Sequence, residues 1–241
     1  MEPVEQAAHD ILAIIEATYQ PTHRFVMARP QDFRHLDLGW YDKTAALLTS
    51  RGFKLLADVE DKTITETPGT VLSAIPVRTL ISRDCTVTAA LYHPHIKKLW
   101  LRLLLWLLRK TPGKVTDMET ECSDGSFVAT SNAAAAAAME NPPLIVTEYL
   151  PATTSPAEVH ARHVARVAAH LKGRPGVSAR VIHTHEEMIA SQNRMNALKA
   201  AYRGEIGGIT KAELDRLATL GKGLTSDVHA EIQRERMKRA G

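Results

Sequence analysis

A succession of short, turn-bounded segments between residues 53 and 150 constrains the fold of this chain more than any other feature. The segments are rich in β-branched and aliphatic residues, and they occupy 53–59, 70–81, 86–92, 115–122, 127–130 and 144–150. Helix-forming sequence does not separate most of them, and Asp124-Gly125 is typical of a tight hairpin turn. The sequence therefore predicts an antiparallel sheet rather than a parallel, doubly wound one.

Helical patterns lie on both sides of this region. Apolar residues recur at helical spacing up to about Thr18, and a second helix is expected over about 40–50, because Gly52 favours a stop there. In the C-terminal part, glutamate follows three hydroxyl residues at the spacing of a helix capping box: Ser155, Thr184 and Thr210. Helices are expected from 156, over 185–203, over 211–220 and, with basic character, from about 226.

These patterns predict an α+β protein. Its mainly antiparallel sheet would have five to seven strands, with helices packed against it and a helical C-terminal segment. With 241 residues the chain has room for one large domain or two small ones. Residues 1–151 would form the sheet-containing domain, and 152–241 would pack on the same core and add one strand near 177–183.

A strongly apolar segment with a basic edge, residues 96–110, is the main candidate for a functional surface. As a helix it groups four of its five cations, Lys98, Arg102, Arg109 and Lys110, on one narrow arc and is apolar almost everywhere else, and it contains two of the three tryptophans. The candidate interaction surface comprises Lys98, Trp100, Leu101, Arg102, Leu105, Trp106, Arg109 and Lys110. Its apolar surface exceeds what a helix on a small sheet normally buries.

Three interpretations of this helix are compatible with the sequence. It is a core helix covered on two sides, a seam between identical subunits, or a helix that docks reversibly on an anionic membrane. The core interpretation is favoured on general grounds. The excess of apolar surface nevertheless leads to the working hypothesis of a non-catalytic binding or interaction protein that acts through residues 96–110.

A metal-dependent hydrolase is the alternative function, because histidine is abundant, with 11 residues. His183 and His185 would share one face of a strand, and Glu187 follows closely. His160 and His163 share one face of the helix that is expected from residue 156. Together these five residues would hold a divalent metal, whereas capping or surface histidines are the default interpretation.

The acidic residues Asp117, Glu119 and Glu121 alternate along one predicted strand and therefore share a face. Such a row can hold a cation or tune a general acid by like-charge repulsion. A solvated strand face, paired with residues such as Lys54 or Arg78, is the favoured interpretation. Ligand binding in a cavity of the sheet is a third hypothesis for the function of the protein.

Composition and missing motifs restrict partners and location. The net charge is +3 and no phosphate-binding glycine motif is present, so a nucleotide cofactor is unsupported and nucleic-acid binding is not expected. The two cysteines form no metal or disulfide pattern, which indicates a reducing compartment. The N-terminus lacks a signal-peptide pattern, and no apolar run is long enough to span a membrane. A cytoplasmic location is expected, with peripheral membrane association as the variant.

Overall fold

The computed structural model describes residues 3–68, 70, 72–95, 113–220, 230–232 and 234–235. Its named α-helices, in chain order, are α1 (Pro3–Thr18), α2 (Leu38–Thr49), α3 (Lys62–Glu66), α4 (Pro156–Lys172), α5 (His185–Glu205) and α6 (Lys211–Leu220). Two short 3-10 helices occupy Pro30–Phe33 and Ala134–Ala138. The predicted helix at 96–110 lies outside the described residues.

The described residues form one sheet of seven strands in sequential order. The strands are β1 (Phe25–Met27), β2 (Lys54–Asp61), β3 (Val77–Ile81), β4 (Thr88–Tyr92), β5 (Val115–Glu121), β6 (Phe127–Ser131) and β7 (Ile145–Tyr149). Every neighbouring pair is antiparallel except β6 and β7, which run parallel. The predicted α+β class, with a mainly antiparallel sheet and C-terminal helices, is confirmed.

Several local expectations need correction. Strand β1 and helix α3 were not predicted, because three and five residues are too short to show a clear period. The segment expected to be a strand over 70–81 forms β3 only from Val77, after Pro76, which has no N–H for a ladder. The strand expected near 177–183 is reduced to a single bridge between Cys122 and Ala179.

The capping signals place the C-terminal helices correctly. Ser155 accepts a hydrogen bond from the backbone N–H of Glu158 at the start of α4. Thr184 and Glu187 form the complete reciprocal box at the start of α5. Thr210 and Glu213 exchange the same pair of bonds before α6. Because each box satisfies backbone donors that a helix cannot satisfy itself, these helix starts were readable from the sequence.

One face of the sheet forms the main core with α2 and α4. Its buried side chains come from these two helices, from the loop after α2 and from β3 to β5: Tyr41, Leu48, Phe53, Leu80, Val87, Ala89, Leu91, Met118 and Val159. Burial of so much apolar surface is the principal stabilising contribution of this layer. The same face also encloses His163, which is fully buried between the strands and α4.

The opposite face is covered less tightly by α5. Met188 of this helix packs against Ile81 on β3, and Met195 packs against Phe127 and Ile145 on β6 and β7. Helices α1 and α6 form a separate apolar cluster through residues such as Leu12 and Leu214. Space therefore remains between the sheet and α5, and this space contains the candidate functional site.

Candidate functional site

A cavity of about 410 Å³ lies between the sheet and α5. Ligand sites in proteins commonly have volumes of roughly 300–1,000 Å³. Small side chains create the space: Ala90 is the β4 partner of Asp117, and Ala129 is the β6 partner of Glu119. Helix α5 contributes one stripe at helical spacing, formed by Met188, Gln192, Met195, Asn196 and Lys199. The walls are thus largely apolar, with a few polar groups.

The acidic row of β5 points inwards, so the prediction of a solvated strand face is wrong. Asp117 and Glu119 line the cavity, and Glu121 is buried against α5. The predicted partner Arg78 instead pairs with Asp58 and Asp42. The three acids do share one face, as strand alternation requires, but α5 covers that face.

The negative charge of Glu121, at one end of the row, is compensated by neighbouring arginines. Its carboxylate accepts hydrogen bonds from Arg194 at 2.6 and 2.7 Å and from the Ser191 hydroxyl at 2.7 Å. Arg180 adds an ion pair at 3.1 Å. Burial alone would raise the pKa of Glu121, but these arginines and the hydroxyl hold it below its usual range. Glu121 therefore serves to dock α5 on the sheet.

Asp117 is held by a tyrosine on the neighbouring strand. The Tyr92 hydroxyl donates a hydrogen bond to Oδ2 of Asp117 at 2.6 Å. Burial raises the pKa of Asp117, whereas hydrogen bonds from Ser131 and Tyr92 act in the opposite direction. Burial and the adjacent carboxyl also raise the pKa of Tyr92, so the phenol remains a hydrogen-bond donor at neutral pH.

Glu119 lacks the partners that its two neighbours in the row have. No described residue donates a hydrogen bond to its carboxyl, and the nearby Lys199 acts on it only electrostatically. Burial raises the pKa of Glu119 to about 7, and Asp117 pushes it upwards while Lys199 pulls it down. This carboxyl therefore changes its charge near neutral pH inside an enclosed space.

A histidine–aspartate pair lies at another part of the cavity wall. His23 Nδ1 is 2.5 Å from Oδ2 of Asp61, and Oδ1 of the same carboxylate caps α3 by accepting from Ile64 N–H at 3.3 Å. The backbone of His23 is clamped by the Asn193 side chain of α5, which accepts from its N–H at 2.8 Å and donates to its carbonyl. His23 is thus held by two distant segments of the chain, at its ring by Asp61 at the end of β2 and at its backbone by Asn193 of α5.

The other ring nitrogen of His23, Nε2, is buried and has no hydrogen-bond partner among the described residues. His23 is only 4% exposed, and it lines the cavity. With Nδ1 donating to the Asp61 carboxylate, Nε2 of the neutral ring is an acceptor. An imidazole oriented in this way can accept a hydrogen bond or a proton from a group in the cavity.

The two predicted metal ligands on α4, His160 and His163, contact other side chains in the structure. His163 is bridged by the hydroxyls of Thr120 at 3.0 Å and Thr130 at 3.2 Å, on the sheet face opposite the cavity. Burial is the main cause that lowers the pKa of His163 to about 3, so the ring is neutral. His160 lies edge-on against Phe53, with ring centroids 5.1 Å apart. The first of these histidines is a core residue, and the second packs on the core.

The other predicted metal ligands lie at the start of α5. His183 is exposed, and its backbone N–H donates to Glu187, whose carboxylate belongs to the capping box. His185 is 3.0 Å from Glu186. Within 3–68, 72–95 and 113–220, no three His, Cys, Asp or Glu residues are grouped so as to hold a metal ion. The described structure therefore does not assemble His160, His163, His183, His185 and Glu187 into one site.

The predicted interaction helix cannot be placed in this fold, because all of its residues lie outside the described part: Lys98, Trp100, Leu101, Arg102, Leu105, Trp106, Arg109 and Lys110. The described residues before it, Pro94 and His95, line the cavity. No helix among the described residues is long and apolar enough to cross a membrane. Self-association, membrane contact and a cytoplasmic location remain predictions.

Sequence reasoning missed most of the polar groups in the cavity. His23 and Asp61 are separated by 38 residues, and His23 and Asn193 by 170. No local spacing connects such pairs, and only the alternating acids of β5 gave a signal. That signal identified Glu119 and Asp117 as a pair but not the environment in which they lie.

Comparisons with known proteins do not identify the function of this site. The chain matches no protein-family model, and neither a curated protein sequence nor a solved structure matches it significantly. A function must therefore be argued from the cavity and its side chains.

Proposed function

We propose that the protein binds a small organic molecule in the cavity between the sheet and α5. The observation that carries the proposal is that His23 lines this cavity while its buried Nε2 has no hydrogen-bond partner among the described residues. A buried polar atom without a hydrogen bond costs about 1–3 kcal/mol. A ligand that hydrogen-bonds to Nε2 would recover this free energy on binding.

The remaining walls support a ligand of mixed character. Apolar side chains from the sheet and from α5, such as Val59, Val77 and Met195, would contribute affinity by removing apolar surface from water. A few polar groups, including His23 and Glu119, would fix its orientation. Because Asp61 and Asn193 already immobilise His23, binding would require little additional ordering of this side chain.

Filling the cavity is expected to abolish ligand binding. Ala90→Phe places an aromatic ring beside Asp117 in the cavity, so the neutral fluorophore N-phenyl-1-naphthylamine should bind at least about tenfold more weakly than to the wild type. Fluorescence titration measures the affinity, and circular dichroism checks the fold. Leu55→Phe is the matched control, because Leu55 is an exposed strand residue that does not line the cavity. Equal binding by both variants, or no saturable binding by the wild type, would contradict the proposal.

A second proposal rests on the sequence of residues 96–110 alone. This apolar segment with a basic edge is the surface through which the protein would contact an anionic membrane or a second copy of itself.

Polar replacement of Leu101, Leu105 and Trp106 is expected to abolish membrane docking without unfolding the protein. Co-sedimentation with anionic and neutral vesicles measures docking, and sedimentation velocity measures self-association. Wild-type protein should bind anionic vesicles more strongly, because five cations lie in the segment. A wild-type protein that stays monomeric and binds neither vesicle would leave only a core role for the segment.

A further inference from the structure

We infer that the ligand of the cavity carries a protonated amine that pairs with the Glu119 carboxylate. The inference rests on the proposed function and specifies the chemistry of its ligand.

Acidic groups outnumber basic ones in the described lining of the cavity. Asp61, Asp117 and Glu119 carry carboxyl groups, whereas Lys199 is the lysine or arginine side chain among the lining residues. Asp61 is engaged by His23, and Asp117 accepts from Tyr92 through Oδ2, whereas its Oδ1 is buried without a hydrogen-bond partner among the described residues. Glu119 is the carboxyl of the lining to which no described residue donates a hydrogen bond.

Lys199 does not provide a close counter-charge for the Glu119 carboxyl. Its ammonium lowers the pKa of Glu119 electrostatically, but no ion pair within 4 Å joins the two groups. A buried carboxylate without a close counter-charge is costly, and a bound ammonium at this point would offset that cost through a charge-assisted hydrogen bond. The apolar walls would then bury the hydrocarbon part of the same molecule.

The charge state of Glu119 sets the pH dependence of this interaction. The titratable groups that act on it are Lys199 from α5 and Asp117 on its own strand, and its charge in turn raises the pKa values of Tyr92 on β4 and Tyr149 on β7. The pKa values of both tyrosines are raised, so the phenols stay neutral near pH 7. Since the pKa of Glu119 is about 7, its ionised fraction rises about tenfold between pH 6 and 8.

A ligand with an amine should consequently bind about tenfold more tightly at pH 8 than at pH 6, provided that the amine stays protonated. A ligand that accepts a hydrogen bond from neutral Glu119, such as a ketone, would show the opposite trend. The direction of the pH dependence thus distinguishes the two kinds of ligand without any mutation.

The test compares three probes of similar shape: 4-phenylbutylamine, 4-phenylbutanol and 4-phenylbutanoate. Calorimetry and displacement of N-phenyl-1-naphthylamine measure their affinities for the full chain at pH 6, 7 and 8. The amine should bind at least about tenfold more tightly than the alcohol at pH 8, and the carboxylate should bind most weakly. Glu119→Gln should remove this preference and the pH dependence, whereas Glu186→Gln, at an exposed carboxylate, should change neither.

The outcomes separate this inference from the proposed function. If the fluorophore binds in an Ala90-dependent manner but the amine has no advantage, the inference is overturned and the cavity remains a binding site. An affinity for the amine that falls with rising pH, or that Glu119→Gln leaves unchanged, overturns it as well. If neither the fluorophore nor any of the three probes binds, the proposed function fails together with the inference.

Discussion

Replacing Arg203 with methionine is expected to lower the free energy of unfolding by about 3–5 kcal/mol, because it leaves a buried carboxylate without its counter-charge. Arg203 and Glu213 are 4% and 0% exposed, and their side chains pair at 2.6 Å. Arg203 also donates to the backbone carbonyls of Glu140 and Gly208 and lies over the ring of Tyr19, 4.7 Å from its centroid. One side chain therefore joins α1, α5, α6 and the segment before β7.

The control for this substitution is an exposed ion pair on α6, the helix that carries Glu213. Lys211 and Asp215 are both 65% exposed and lie 3.9 Å apart, so Lys211→Met should change stability by less than about 0.5 kcal/mol. Urea unfolding of both variants at pH 7 gives the two free energies. A similar, small loss in both would show that Glu213 is not stabilised by its buried partner.

Acidification to pH 5 is expected to reduce the stability of the protein by about 2 kcal/mol through His163 alone. The pKa of this buried ring is about 3 in the folded protein, against about 6.5 in an unfolded chain. Between these values the unfolded chain binds a proton that the folded protein does not. Stability therefore falls as the pH falls through this window, by about 1.4 kcal/mol per pH unit.

The contribution of His163 can be separated from that of the carboxyl groups. His163→Gln keeps hydrogen-bonding groups near Thr120 and Thr130 but cannot titrate, so its loss of stability from pH 7 to pH 5 should be smaller by about 2 kcal/mol. His183→Gln, at an exposed site, should retain the wild-type pH dependence. Urea unfolding at both pH values provides the comparison, and equal losses in wild type and His163→Gln would exclude a buried neutral ring.

The parts of the fold that sequence predicted correctly have a local cause. The starts of α5 and α6 follow from capping boxes four residues long, and β5 and β6 follow from runs of strand-forming residues joined by the turn at Gly125, whose φ is +82°. Parallel pairing of β6 and β7 was not predicted, because it depends on the path of the connection through Ala134–Ala138. Local patterns determine elements, and the connections determine how they pair.

The candidate site was less predictable for the same reason. Alternation correctly placed Asp117 and Glu119 on one face, but exposure of that face depends on α5, which begins more than sixty residues further along the chain. A row of acids is usually solvated, and this row is enclosed because the stripe from Met188 to Lys199 covers it. His23 gave no signal at all, since its partners come from distant segments.

The position of α5 in the chain determines when the site forms during synthesis. All seven strands are complete at Tyr149, yet the helix that covers Asp117 and Glu119 begins only at His185. The acidic face of the sheet therefore cannot be covered by α5 until the nascent chain extends beyond the strands of the described sheet. Only when α5 docks, through Met188, Met195 and the Asn193 clamp on His23, do these carboxyl groups enter the environment that raises the pKa of Glu119. The environment of Asp117 and Glu119 thus depends on a helix that is synthesised after the strands of the described sheet.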